Sequence, residues 1–459
     1  MSQLLPRRSS LVPPPEAGDR VAPAAIMARS NRPAPVHLIC CGACFALALA
    51  FVAARPRVTH VGAQTRAVRT AQTADAQVAE GASALERGDA RAARTSFQRA
   101  LELDRDNIAA HTYLGVLADR EGDLAEAERH FAAAAIAAPT SPQARNNHGA
   151  ILLRLGRVQQ AAAQFEVSLR LDGNQPSPLV NLARIRFESG TPEGLKQARE
   201  LFERAYAIAP DADIARSLVV TSLRLGDKED AARHFRDYAA RLDAAGDAEA
   251  TTGAAQRAEL GGALLASGLA DEAVRELSAA VTADPSDADA LILLARAHLA
   301  LRDVPAAGRV LEGALARGQT QAKIYAALAE VYEAGGYVEN AIPAMRLAVA
   351  ADPKNESYSV RYGLLLVDTK APAAAIIRLE ESLKDFPTSP RLWLALGIAQ
   401  FNAGKNEDAQ KSFSRALELD PKSVPALAYL GTAHAERGQY ADAVAYYERA
   451  IAAGANQSV

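Results

Sequence analysis

The chain has 459 residues, a formal net charge of -3, 49% apolar residues and only 5% aromatic ones. So balanced a charge offers no electrostatic footprint for nucleic acid or for an anionic lipid surface. Alanine and leucine carry most of the hydrophobicity, as closely packed helix pairs require. At roughly 150 residues per domain this length would suggest two to four domains, but that arithmetic fails for a core that grows along one direction.

Residues 1–36 are rich in Pro and Arg (Pro13, Pro14, Pro15, Arg29, Arg32) and lack apolar periodicity, so they are expected to be disordered. Residues 37–54, HLICCGACFALALAFVAA, run without a formal charge. Their length lies at the border between a signal peptide core and a membrane anchor. Cleavage after Val52-Ala53-Ala54 fits the first reading, and the small residues Gly42, Ala46, Ala50 and Ala54 at four-residue spacing fit the second. Contact with a membrane would run through this segment if it stays uncleaved. All three cysteines, Cys40, Cys41 and Cys44, fall within it. They read as small apolar residues, because no second pair or histidine partner makes a metal or redox site of Cys41-Gly-Ala-Cys44. Met27 offers an alternative start that would leave a short basic region before the apolar core. Arg29 and Arg32 precede the core while Arg55, Arg57, Arg66 and Arg69 follow it, which favours a cytoplasmic array on charge count. A basic segment followed by one apolar core is the layout of an exported chain. The expected location is membrane-associated or periplasmic, with the cytoplasmic face left open, and residues 55–73 read as a linker.

From Ala74 a repeat begins. A small residue recurs at Ala93, Ala127, Ala161, Ala198, Ala231, Ala273, Ala307, Ala341, Ala375, Ala409 and Ala443, with spacings of 34, 34, 37, 33, 42 and then 34 five times. Four residues after each stands a bulky apolar one: Phe97, Phe131, Phe165, Phe202, Phe235, Leu277, Leu311, Met345, Leu379, Phe413 and Tyr447. The stretch from Pro390 to Pro421 shows the unit most fully. Trp393, Leu396 and Gly397 mark a first helix, and Ala409, Phe413 and Ala416 lie on one stripe of a second, which Pro421 ends. This pattern resembles the tetratricopeptide repeat, with Gln400 where that family often has Tyr. The resemblance covers roughly residues 74–457 and implies an all-α, right-handed superhelical solenoid of tandem helix-turn-helix repeats. Such units bury their faces only against copies of themselves.

Individual copies depart from the pattern. The first-helix glycine stands at Gly81, Gly115, Gly149, Gly261, Gly363, Gly397 and Gly431, but gives way to Ala183, Val219, Ala295 and Ala329. The closing proline is found at Pro139, Pro210, Pro285, Pro353, Pro387 and Pro421. The fifth copy is the weakest, with Val219 for glycine and Tyr238 where a small residue belongs. The insertion RLDAAGDAEATTG, Arg241 to Gly253, follows it. It is expected to form a longer helix and a loop at 246–253, dividing repeats 1–5 (74–245) from repeats 6–11 (254–457), as a hinge or as a rigid distortion. The final helix, with Tyr446, Tyr447 and Ile451, is expected to be partly uncovered.

No catalytic motif interrupts the array: H-E-x-x-H, the P-loop, G-x-S-x-G and a glycine-rich fingerprint are all missing from the sequence. His111, His130, His148, His234, His298 and His434 are scattered without ligand spacing, so no metal, cofactor or enzymatic activity is expected. Recognition remains. In the family it resembles, first helices line the concave surface that receives extended peptides or partner helices. Asn147 and Asn181 hold the same first-helix position in adjacent copies, and an amide that donates and accepts suits the backbone of an extended peptide. Arg184, Arg154 and Arg216 complete a candidate peptide-binding patch that would receive an acidic segment or a terminal carboxylate. The pair is similar to a short piece of the asparagine ladder of O-linked N-acetylglucosamine transferases, without their catalytic domain. A solvated inner surface with no dedicated ligand is the plain alternative. Ile292, Leu364, Ile398 and Phe401 mark a second, apolar groove suited to an amphipathic helix. The expected function is a noncatalytic protein-protein interaction scaffold, exported or membrane-tethered, whose partners are other proteins. The alternative is an accessory subunit that positions an envelope enzyme, such as polysaccharide or pilus assembly machinery.

Overall fold

A computed structural model describes residues 64–245 and 253–455. The Pro/Arg-rich stretch 1–36, the apolar segment 37–54 with its cysteines, and the loop from 246 to 252 lie outside the described residues. The described residues form 22 helices and no strand, in two compact units divided between Ala250 and Thr251.

Unit 1 contains α1 (Gln64–Glu86), α2 (Ala90–Leu103), α3 (Ile108–Glu121), α4 (Leu124–Ala137), α5 (Pro142–Arg154), α6 (Val158–Leu171), α7 (Pro176–Glu188), α8 (Pro192–Ile208), α9 (Ala212–Leu225) and α10 (Lys228–Ala245). Helix α1 thus begins inside the stretch read as a linker. Unit 2 contains α11 (Ala254–Ala266), α12 (Ala270–Ala283), α13 (Ala288–Ala300), α14 (Val304–Ala316), α15 (Ala322–Ala334), α16 (Val338–Ala351), α17 (Glu356–Asp368), α18 (Pro372–Asp385), α19 (Pro390–Asn402), α20 (Asn406–Leu419), α21 (Val424–Glu436) and α22 (Tyr440–Ala455). Odd-numbered helices are the first and even-numbered ones the second of each hairpin. Each proline that closes a repeat stands just beyond its second helix, as Pro139 does after α4 and Pro421 after α20.

Burial follows the repeat register. The eleven second-helix alanines are 0% exposed in every copy but the last, where Ala443 is 3%. The bulky residues four positions on are at most 4% exposed from Phe97 to Phe413, whereas Tyr447 is 37%. The glycine opposite explains the fit: a Cβ at Gly81, Gly115 or Gly397 would meet the ring of Phe97, Phe131 or Phe413 at 2.5, 2.9 or 2.4 Å. That ring packs directly against bare backbone.

The turn inside each hairpin is equally regular. Gly88, Gly122, Gly156, Gly190, Gly226, Gly268, Gly336, Gly404 and Gly438 adopt positive φ, and Arg302 and Lys370 take the same conformation in the two remaining copies. A residue in this left-handed region lets the chain reverse, and glycine does so without a Cβ clash. The next residue often caps the second helix, as when Asp89, Asp123 and Asp303 accept from the N–H groups of Ala92, Glu126 and Ala306 at 2.8–3.0 Å. In repeat 4 the three extra residues lengthen α8 to 17 residues at its start, nearly one helical turn, so Ala198 stays on the packing face.

Polar residues in core positions also find reasons. Gln400, 7% exposed, accepts from the Ser412 hydroxyl at 2.7 Å, which replaces a tyrosine by a buried hydrogen bond between the two helices of the hairpin. Tyr238 is fully buried and sits edge-on to Phe235 at 5.9 Å, so the fifth copy repacks around its larger residue.

Candidate functional site

First helices touch one another directly along each unit, α5 with α7 in unit 1 and α11 with α13, α13 with α15, α17 with α19 and α19 with α21 in unit 2. Equivalent first-helix residues therefore form rows. Arg296 on α13 reaches Glu330 on α15 at 3.1 Å, Lys323 reaches Asp289 at 2.6 Å, and Arg391 on α19 donates to the Ser357 hydroxyl on α17 at 3.1 Å.

In unit 1 the row contains Asn147 on α5 and Asn181 on α7, 6% and 7% exposed, and neither side chain hydrogen bonds to the protein. Beside Asn147, the Asn146 Oδ1 atom is buried without a partner, as is the Nε of Arg184, one turn along α7 from Asn181. Burial pulls the Arg184 guanidinium below its usual pKa, against the opposing influence of Asp213, Glu188 and Asp211 and with that of Arg216. The structure thus sets Asn147 and Asn181 at equivalent positions of two first helices that touch, with Arg184 three residues on from Asn181 and facing the acidic groups of its own helix and the next repeat.

The other two arginines of the expected patch do not join them. Arg154 pairs with Asp119 of the preceding repeat, whose carboxyl burial pushes up while Arg154 and Arg120 pull it down. Arg216 is 0% exposed. It belongs to a run from Ile214 to Ser222 in which no residue is more than 8% exposed, so α9 is enclosed around its whole circumference. An accessible Arg216 is therefore corrected to a buried one: its first-helix position points to solvent only where the helix has an open face.

Sequence reading missed the neighbours of Asn147. Arg145 and His148 take positions where Pro390–Asn402 has Trp393 and Leu396, and their Nε and two ring nitrogens are buried without hydrogen bonds. Glu128 approaches His148 at 3.7 Å. The run Arg145-Asn146-Asn147-His148 in mid-helix was the available signal.

In unit 2, Ile292, Leu364, Ile398 and Phe401 are all half-buried. Leu364 on α17 and Ile398 and Phe401 on α19 are successive, and Tyr429 on α21 extends them, its ring edge-on to Phe401 at 6.4 Å. Ile292 stands apart, because the intervening α15 presents Ala326 and Glu330 at the equivalent positions. Among the described residues no group of three or more His, Cys, Asp or Glu is placed to hold a metal, and no helix is long and apolar enough to cross a membrane.

Family models described as tetratricopeptide repeat match residues 78–142, 129–176 and 394–458, residues 264–331, and residues 322–355, together more than half of the chain. The chain belongs to the tetratricopeptide repeat family. Tetratricopeptide repeat-containing protein PA4299 of Pseudomonas aeruginosa is 36% identical over 124 residues, which are 27% of this chain and 49% of that protein. Human Superkiller complex protein 3 is 30% identical over 92 residues, 20% of this chain and 6% of that protein. This tetratricopeptide repeat chain thus spans less than half the length of either relative. The solved structure of Pseudomonas aeruginosa pilF covers 50% of this chain and 99% of its own, at 18% identity and a TM-score of 0.41.

Proposed function

We propose that this protein is a noncatalytic scaffold, exported or membrane-tethered, that holds extended segments of partner proteins on the first-helix face of repeats 3 and 4. The observation that carries the reading is the pair Asn147 and Asn181, nine-tenths buried and without a hydrogen bond in the protein. An amide both donates and accepts, so each of the two pairs with the N–H and C=O groups of an extended backbone laid across the row. Touching helices lie about 8–10 Å apart, and a polyproline-II-like segment rises about 9 Å in three residues, so it presents the same side of its backbone to both amides. Arg184 adds a preference for a carboxylate near that backbone. The half-buried row Leu364, Ile398, Phe401 and Tyr429 supports a helical partner segment on unit 2. Export or tethering rests on the uncharged stretch 37–54.

Selection of peptides from a random display library on the 459-residue protein tests the reading. Selected peptides should lose at least about tenfold in affinity to the variant N147A/N181A. Unchanged affinity, or capture of glycans instead of peptides, overturns it. Fractionation with N-terminal sequencing of the mature chain tests the location.

A further inference from the structure

Repeat 2 brings two histidines together across its hairpin. His111 on α3 stands four residues before Gly115, His130 on α4 three residues after Ala127, and their Nδ1 atoms meet at 2.9 Å. The ring centres are 5.2 Å apart, which is that contact plus one ring radius on each side, so the two nitrogens point at each other head-on. On the far side of its ring, His111 Nε2 lies 2.9 Å from the Arg105 carbonyl, which only accepts. The His111 proton therefore sits on Nε2, its Nδ1 is a bare lone pair, and His130 Nδ1–H donates to it. The same two positions hold Leu179 and Leu201 in repeat 4 and Leu291 and Val310 in repeat 7, so the hairpin does not need polar residues there.

We propose that this pair is an acid-sensitive latch: the facing nitrogens hold one proton between them, and a second one opens α3 from α4. With both rings in the imidazolium form, two N–H groups would be set against each other at the 2.9 Å contact, so the closed hairpin takes at most one positive charge and the opened one takes two. The outer nitrogen of His130 offers little relief. It lies 3.8 Å from Glu126 Oε1, but that oxygen already accepts from Arg94 of α2 at 2.9 Å. Burial, first among the causes, holds His130 below its ordinary pKa; His111, Arg129 and Arg94 act in the same direction and Glu126 opposes them. Toward repeat 3, Glu128 of α4 faces His148 of α5 and Arg157, both at 3.7 Å. Because the open hairpin binds the protons that the closed one excludes, the latch contributes in full above about pH 6.5 and is lost as pH falls below it.

Amide exchange of the full 459-residue chain in detergent solution, read by mass spectrometry at pH 7 and pH 5 and corrected for the intrinsic pH dependence of exchange, tests this. One excluded proton should make opening of α3 and α4 about twentyfold more frequent at pH 5 than at pH 7. Helices α7 and α8 of repeat 4, which carry no histidine, should change little. H111L/H130L, which installs the pair of repeat 4, should abolish the response. So should H111Q/H130Q, whose amides donate and accept without titrating. Protection at pH 7 equal to that of the wild type shows that a variant's hairpin is intact. A wild type whose α3 and α4 respond to pH no more than α7 and α8, or either double variant responding as the wild type does, overturns the proposal.

Discussion

A methyl group added at Gly397 would come within 2.4 Å of the Phe413 ring, which has no room to retreat because it is 0% exposed. Gly397→Ala should therefore destabilise by about 1–3 kcal/mol despite its gain in helix propensity, a shift readable in urea unfolding. The opposite sign is expected at Arg302 and Lys370, whose φ values of 61° and 59° place side chains in the left-handed region. Replacing either by glycine should stabilise by about 1 kcal/mol, measured by the same unfolding curves. Three histidines bring pH dependence. Burial, first among the causes, holds His130, His148 and His234 below the ordinary 6.5. Each binds a proton more readily unfolded than folded, so the stability they contribute is complete above about pH 6.5 and declines as pH falls toward their lower folded values. His148→Leu, the residue type found at this position in several other copies, should flatten that decline in thermal melts taken between about pH 5 and 7. At this scale the sequence was only partly legible. Asn147 and Asn181 could be picked out by their shared register, whereas the enclosure of Arg216 depends on what surrounds α9, and no local pattern encodes that.

Between helices, ion pairs join successive repeats in a recurring arrangement. Arg94 reaches Glu121 and Glu126 of the next repeat at 2.5 and 2.9 Å, and Arg199 reaches Asp227 and Asp230, both at 2.9 Å. All are partly exposed, so Arg199→Ala should lower stability by less than about 1 kcal/mol and the loss should shrink in high salt. Buried contacts outweigh them. Phe131→Ala should cost about 3–5 kcal/mol and, because a solenoid couples nearest neighbours, should speed amide exchange in α3, α4 and α5 while leaving unit 2 protected. The helices themselves were readable from the chain: alanine, bulky residue and proline fix each second helix by periodicity and termination. The turn glycines stand five residues before the packing alanine in most copies, but went unread because their role is conformational and shows itself only once φ is known. The Gln400 to Ser412 bond was hidden because it joins residues in different helices.

Across the whole chain, two units share one plan and fill it differently. Unit 1 uses phenylalanine at all five bulky positions from Phe97 to Phe235, whereas unit 2 uses Leu277, Leu311, Met345 and Leu379 before returning to aromatic residues at Phe413 and Tyr447. The two candidate surfaces follow the same division, asparagine amides in unit 1 and half-buried apolar side chains in unit 2. The hairpin turns of both units invert the usual stereochemical preference. At Gly88, Gly122, Gly156, Gly226, Gly268, Gly336, Gly404 and Gly438 the backbone has the handedness of a mirror-image amino acid. At Gly122 and Gly404, as at most of these turns, an added Cβ would meet nothing within 4 Å on the L side. D-alanine installed at Gly404 by chemical ligation would prefer the native φ and reduce the freedom of the unfolded chain, so its melting temperature should rise where L-alanine lowers it.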